Sequence, residues 1–80
     1  MTTEDDLRTA VDAILSRNQW RLRRDQAVWS LRHEHGWSVP KITTQLAVAL
    51  VGAGVPLEQH NGLGVSHDSI RRITEGDRPT

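Results

Sequence analysis

The residues with the most chemistry to offer lie together in the run Leu63-Gly64-Val65-Ser66-His67-Asp68-Ser69-Ile70-Arg71-Arg72-Ile73 of this 80-residue chain. Ser66 stands where a helix N-cap belongs, its hydroxyl oxygen ready to accept a first-turn N–H. Ile70 and Ile73 then fall on one face of the helix that follows. His67, Asp68, Arg71 and Arg72 are left to point elsewhere. Such a helix buries one stripe and presents hydrogen-bonding and cationic groups on another. Those are the groups needed to read base edges in a major groove: a carboxylate can accept from cytosine N4, and a guanidinium can reach guanine O6 and N7.

Other chemistries find less support. Ser66, His67 and Asp68 are a triad in composition only, because three consecutive helical residues cannot converge in space. There is no cysteine nucleophile and no glycine-rich phosphate loop. His33, His35, His60 and His67 have no spacing of a metal site, and His33 and His35 point to different faces of any helix. The expectation is therefore a protein that is not an enzyme and uses no metal or cofactor. Plainer readings exist for most of these residues. Ser66 caps a helix whatever else it does, and Arg71 and Arg72 could be a solvated face beside Glu75. Arg21, Arg23 and Arg24 could be another such face, or could support DNA phosphates from a flanking helix. Trp20, Trp29 and Trp37 read as core or interface anchors, since the chain has no Phe or Tyr.

The elements that must carry these residues are all helical. Thr3 can cap a first helix, with Asp6 at the capping-box position and acids at the positive end of the dipole. Leu7, Val11, Ile14 and Leu15 repeat at helical spacing. Asn18 and Gln19 are the weakest point before a second set, Trp20, Ala27, Val28 and Leu31. Leu15, Leu22 and Trp29 are seven apart, so two helices or one long kinked helix both fit. Gly36 ends this region as a left-handed stop. Ser38 caps the next helix, with Pro40 in its first turn and Val39, Ile42, Leu46, Ala49 and Leu50 as its apolar stripe. Gly52 and Gly54 end it. Residues 53–64 are a loop punctuated by Pro56 and Asn61-Gly62. The last helix runs from about His67 to Thr74 and stops at Gly76, leaving residues 77–80 as a frayed tail.

Net charge is zero, but unevenly spread. Residues 1–16 carry −3, residues 17–41 carry +4, residues 42–64 carry −1, and residues 65–80 balance. A DNA face is allowed and a large uniform field is not. The longest apolar stretch, Leu46 to Val51, is too short to span a bilayer. No basic and apolar leader precedes the first helix, and the absence of cysteine suits a reducing compartment, so a cytoplasmic location away from membranes is expected.

The segments Gly36-Trp37-Ser38-Val39-Pro40-Lys41-Ile42 through Leu46 and Leu63-Gly64-Val65-Ser66 through Ile73 resemble small bacterial and phage helix-turn-helix regulators. They are also similar to the DNA-binding heads of resolvases and transposases. Those families show a Gly-aromatic-Ser/Thr start to their first helix and a Leu-Gly-Val-Ser turn. A Thr/Ser-Val/Ile pair follows, then an Arg two residues beyond its apolar member, as in Ser69-Ile70 and Arg72. The chain departs from the pattern in its connection. The first helix runs on through Ala47–Val51 and a long loop follows, where the families place only a few residues; some transposase-like relatives do end a longer first helix in an Ala-Gly pair, as Ala53-Gly54 does.

The resemblance implies an all-α, three- to four-helix helix-turn-helix domain with a long amphipathic N-terminal helix and an extended turn before the recognition helix. Residues 1–80 form one domain: an N-terminal helical region 1–35, the helix-turn-helix 36–76, and the tail. It implies sequence-specific binding of double-stranded DNA, as a small transcriptional regulator or repressor of a phage or mobile element. His67, Asp68 and Arg71 would face base edges. Ser38, Lys41, Ser66 and Arg72 would face phosphates, and Ser69 would belong to the same DNA-binding surface. A lone recognition helix makes few contacts, so a homodimer is expected, through Leu7, Val11, Ile14 and Leu15 of the first helix and through Trp29. No small-molecule substrate is expected. The competing expectation is a protein-interaction module, an adaptor or inhibitor on a helix-turn-helix-like core. Zero net charge, Asp68 and the apolar-leaning loop at Val55, Pro56 and Leu57 favour it.

Overall fold

The computed structural model describes residues 3–80, and the side chains of residues 5–80. Its helices are α1 (Thr3–Ser16), α2 (Trp20–His33), α3 (Val39–Gly52) and α4 (His67–Glu75), with a 3₁₀ turn at Leu57–Gln59 between α3 and α4. The described residues contain no strand, so the class is all-α. None of these helices is long and apolar enough to cross a membrane.

The N-terminal region is two helices of 14 residues each, not one long one. The break uses neither Gly nor Pro. Arg17 and Gln19 take left-handed backbone conformations, with φ of 63° and 49°. A non-glycine residue adopts that region at a cost of about 1–2 kcal/mol, so the corner must be held from outside. Arg23 Nη1 does this, donating to Ser16 Oγ at 3.2 Å and to the Asn18 carbonyl at 3.4 Å. The chain reverses, and α2 returns antiparallel along α1. Ala10 and Ala13 are fully buried, as a close helix pair requires.

At the far end of this hairpin Asp6 points inward. It is 3% exposed. His35 Nε2–H donates to its Oδ2 at 2.6 Å, and Ser30 Oγ lies 3.0 Å from the same oxygen and 2.7 Å from Glu34 Oε2. Asp6 Oδ2 thus makes a buried polar link between the start of α1 and the end of α2, and the capping box expected of Asp6 with Thr3 involves a side chain outside those described.

One core joins all four helices. Val11 and Ile14 enter from α1, Ala27, Val28 and Leu31 from α2, Ile42, Leu46 and Leu50 from α3, and Ile70 from α4, with Leu63 and Val65 from the loop. This corrects the reasoning behind the α1 dimer element. Val11 and Ile14 are covered by the chain's own helices, and Leu7 is half-buried; only Leu15 of that set is exposed. Trp29 is also engaged within the chain. Its Nε1–H donates to the Gly76 carbonyl at 3.2 Å, His33 packs on its ring at 4.4 Å, and the Arg78 guanidinium lies 5.6 Å from the ring centre. Of residues 77–80, Arg78 and Pro79 lie against α2. Gln26 Nε2 donates to the Pro79 carbonyl at 3.3 Å, and Arg78 approaches Glu34 at 3.5 Å.

Helix α3 starts as its sequence demands. Ser38 Oγ accepts from the Lys41 N–H, and Pro40 sits in the first turn. It ends in a Schellman arrangement: Val55 N–H reaches the Leu50 carbonyl at 2.9 Å and Gly54 N–H reaches that of Val51 at 3.1 Å. The loop beyond is tied to itself, since His60 Nε2–H donates to the Val55 carbonyl at 2.9 Å.

Candidate nucleic-acid interface

Helix α4 begins with Ser66 in extended conformation, its Oγ accepting the Ser69 N–H at 3.3 Å and donating to Ser69 Oγ at 3.1 Å. The cap satisfies one of the unpaired first-turn N–H groups, and Val65 before it and Ile70 after it are both buried. This is the spacing of a hydrophobic staple, which fixes the angle at which a chain enters its helix. Ser66→Ala is expected to lower stability by about 1 kcal/mol, read as a shift in the chemical-denaturation midpoint. An unmoved midpoint would show that the cap contributes nothing.

The inward face of α4 is Ile70 and Thr74, with Ile73 half-buried. Thr74 was not foreseen; its Oγ1 donates to the Arg71 carbonyl at 3.0 Å, and its own carbonyl accepts His33 Nε2–H at 2.8 Å. The outward face is His67, Asp68, Arg71, Arg72 and Glu75, all exposed. Arg71 lies between two carboxylates, 3.9 Å from Asp68 and 3.8 Å from Glu75. At these lengths, and with more than half of each side chain in solvent, the pairs are weak. Arg72 makes no ion pair among the described residues.

The position of α4 depends on Arg24, the signal that sequence reasoning assigned to a surface cluster. Its guanidinium is buried. Nη1 donates to the Leu63 carbonyl at 2.6 Å, while Nε and Nη2 donate to Asp25 Oδ1 at 2.9 and 2.7 Å. Gly64 passes directly over this group with φ of 67°, and a Cβ there would overlap the guanidinium. Arg24 and Gly64 together set the loop just ahead of the Ser66 cap, and the His33 and Trp29 bonds hold the other end of α4. The arginines grouped by the sequence therefore divide: Arg23 holds the α1–α2 corner, Arg24 holds the loop, and Arg21 remains outside.

Ser38 and Lys41 stand apart from this surface. Trp37 N–H donates to the Leu31 carbonyl, which attaches the start of α3 to α2 seven residues after Arg24, roughly 10 Å along the α2 axis at ~1.5 Å per residue. The Lys41 ammonium rests over the Trp37 ring at 4.5 Å. No described hydrogen bond or ion pair joins the two helix starts. A shallow groove of about 540 Å³ runs beside the first turn of α4, between His60 and Asn61 on one side and Ser66 and Ser69 on the other. Among the described residues no three His, Asp or Glu side chains converge as a metal set would.

These features define a four-helix all-α domain that mounts one capped, polar, two-turn helix on its surface. Comparison of the chain with protein-family models, with curated proteins and with solved structures finds no match.

Proposed function

We propose that the chain is a sequence-specific double-stranded DNA-binding protein: a small, cytoplasmic transcriptional regulator, of the repressor type, from a phage or other mobile element. The observation that carries this reading is α4. It is capped by Ser66, seated on Ile70 and Thr74, tied to α2 at both ends, and left with His67, Asp68, Arg71, Arg72 and Glu75 outward. The N-terminal end of such a helix is the end that reaches base edges. His67, Asp68 and Arg71 are assigned to bases, Ser66, Ser69 and Arg72 to phosphates, and Ser38 and Lys41 to more distant phosphates. Binding as a homodimer on a two-fold operator belongs to the same reading, because two turns of helix make few base contacts alone.

Titration of binding to a random-sequence duplex against salt tests the proposal, since phosphate contacts weaken steeply as salt rises. No binding at low salt ends it. With a selected site in hand, Arg71→Ala is expected to cost about 1–3 kcal/mol and to relax preference at one base pair, whereas Arg72→Ala weakens all sequences alike and lowers the salt slope by about 1. Two variants indistinguishable from the parent protein would remove both assignments.

A second reading, a protein-interaction module acting as adaptor or inhibitor, is favoured by one observation. Val48 and Leu57 are 64% and 66% exposed, and with Ala47 and Val51 they line an almost purely apolar groove of about 220 Å³ on the outer side of α3. Absence of duplex binding would leave this reading standing.

A further inference from the structure

The corner between α1 and α2 gathers positive charge around one indole. Three guanidinium groups surround the Trp20 ring, those of Arg17, Arg21 and Arg24 at 5.2, 5.3 and 5.1 Å from its centre. They are not equivalent. Arg24 is neutralised by Asp25 and committed to the Leu63 carbonyl. Arg17 and Arg21 are exposed, and neither side chain has an ion-pair or hydrogen-bond partner among the described residues. No acid lies in the first turn of α2, and Gln19, its N-cap, makes no side-chain cap. The corner thus carries two uncompensated cations held over a half-buried aromatic ring. The attraction of each cation to the ring restrains its position while leaving its N–H groups toward solvent.

Its location gives the charge a use. Trp20 touches Arg24, Arg24 holds Leu63, and Leu63 leads through Val65 into the Ser66 cap. The corner therefore flanks the end of α4 assigned to base edges. A duplex presents one phosphate per ~1.7 Å of axis, counting both strands, so DNA seated on α4 carries its backbone past this corner.

We propose that Arg17 and Arg21 bind backbone phosphates of the duplex beside the segment read by α4, with Trp20 as the platform that orders them; this rests on the DNA-binding reading above. A guanidinium suits the task because its planar fork matches phosphate oxygens, and its charge does not titrate. The contacts carry no sequence information and act on every duplex alike.

The experiment compares the parent protein with an Arg17→Ala/Arg21→Ala double variant and an Arg17→Lys/Arg21→Lys double variant, all titrated with a random-sequence duplex over a range of salt. Both positions are exposed, and circular dichroism verifies that each variant keeps its helices. The expected result is a loss of about two units in the slope of log K against log salt for the alanine variant, at ~0.9 per phosphate contact, with the slope kept by the lysine variant. A parent slope in the alanine variant overturns the phosphate role of this corner while leaving DNA binding by α4 intact. Equal loss in the alanine and lysine variants also overturns it, because lysine keeps the charge. A parent protein that binds no duplex at any salt overturns both this inference and the reading beneath it.

Discussion

Arg24→Ala is expected to lower stability by about 2–4 kcal/mol, out of roughly 4–12 kcal/mol available to a domain of this size. The truncation strands two groups at once. The Leu63 carbonyl loses its donor in a region where Leu63 and Val65 are buried, and Asp25 loses both of its guanidinium bonds. The side chain is only 11% exposed, so its volume is also lost from under the loop. Thermal unfolding followed by circular dichroism measures the drop. At ~4–8 °C per kcal/mol for domains of this length, a fall of about 8 °C or more is expected. Arg24→Lys recovers little, because an ammonium cannot span the Leu63 carbonyl and the Asp25 carboxylate as the fork does. Gly64→Ala is expected to be destabilising by another route, adding a Cβ at a left-handed φ and displacing the same guanidinium. The two changes must therefore couple: Gly64→Ala costs less in the Arg24→Ala background than in the parent protein. Equal costs in both backgrounds would show that the residues do not meet.

Asp6 gives the second large effect, and its substitutions separate two roles. As a capping residue Asp6 would be replaceable by Glu, the residue a capping box prefers at this position. As the buried partner of His35 and Ser30 it holds its carboxylate at a fixed reach, which an added methylene shifts. Asp6→Glu is accordingly expected to destabilise by about 1–3 kcal/mol by displacing the carboxylate from those bonds. Asp6→Ala should cost about 2–4 kcal/mol by removing the buried acceptor that the His35 ring and the Ser30 hydroxyl share. Asp12→Ala, on the exposed face of the same helix, is expected to stay within about 0.5 kcal/mol and serves as the control. Urea midpoints of the three variants decide between the roles. A Glu variant as stable as the parent would restore the capping account.

The parts of this fold that were legible in the sequence are those written in local chemistry. Ser38 and Ser66 mark their helix starts, Gly36 and Gly54 lie at helix ends, and Ile42, Leu46, Leu50 and Ile70 repeat at the helical period. Each signal acts within a few residues, so one sequence suffices to read it. The α1–α2 break was less legible because it rests on left-handed Arg17 and Gln19, residues with no preference for that region, held there by Arg23. The burial of Arg24 and of Asp6 went unread for a common reason. A charged side chain is normally solvated, and its burial becomes visible only when the partner, here Leu63 or His35, is brought to it from elsewhere in the chain. Val11 and Ile14 are covered within the chain by the same logic in reverse. Their apolar character was clear, but a stripe does not say whether its cover comes from the same chain. In the tail Arg78 approaches the Trp29 ring and Pro79 accepts from Gln26, contacts that no local pattern announces. At the candidate interface the outward set on α4 was legible as a pattern, and Arg21 stood among the arginines that could serve phosphates; the contact through Arg24 that ties the α1–α2 corner to the loop before α4 is not one that spacing reveals.

The ties that seat α4 and its tail share a direction. Leu63 bonds Arg24, Thr74 bonds His33, Gly76 bonds Trp29 and Pro79 bonds Gln26. Every one returns to α2, across 39 to 53 residues of chain, whereas α2 closes against α1 through a three-residue corner. A ribosome releases these parts in the order in which they are needed. The residues of α1 and α2 are all made before α4 is translated, so every partner that α4 bonds precedes it in the chain.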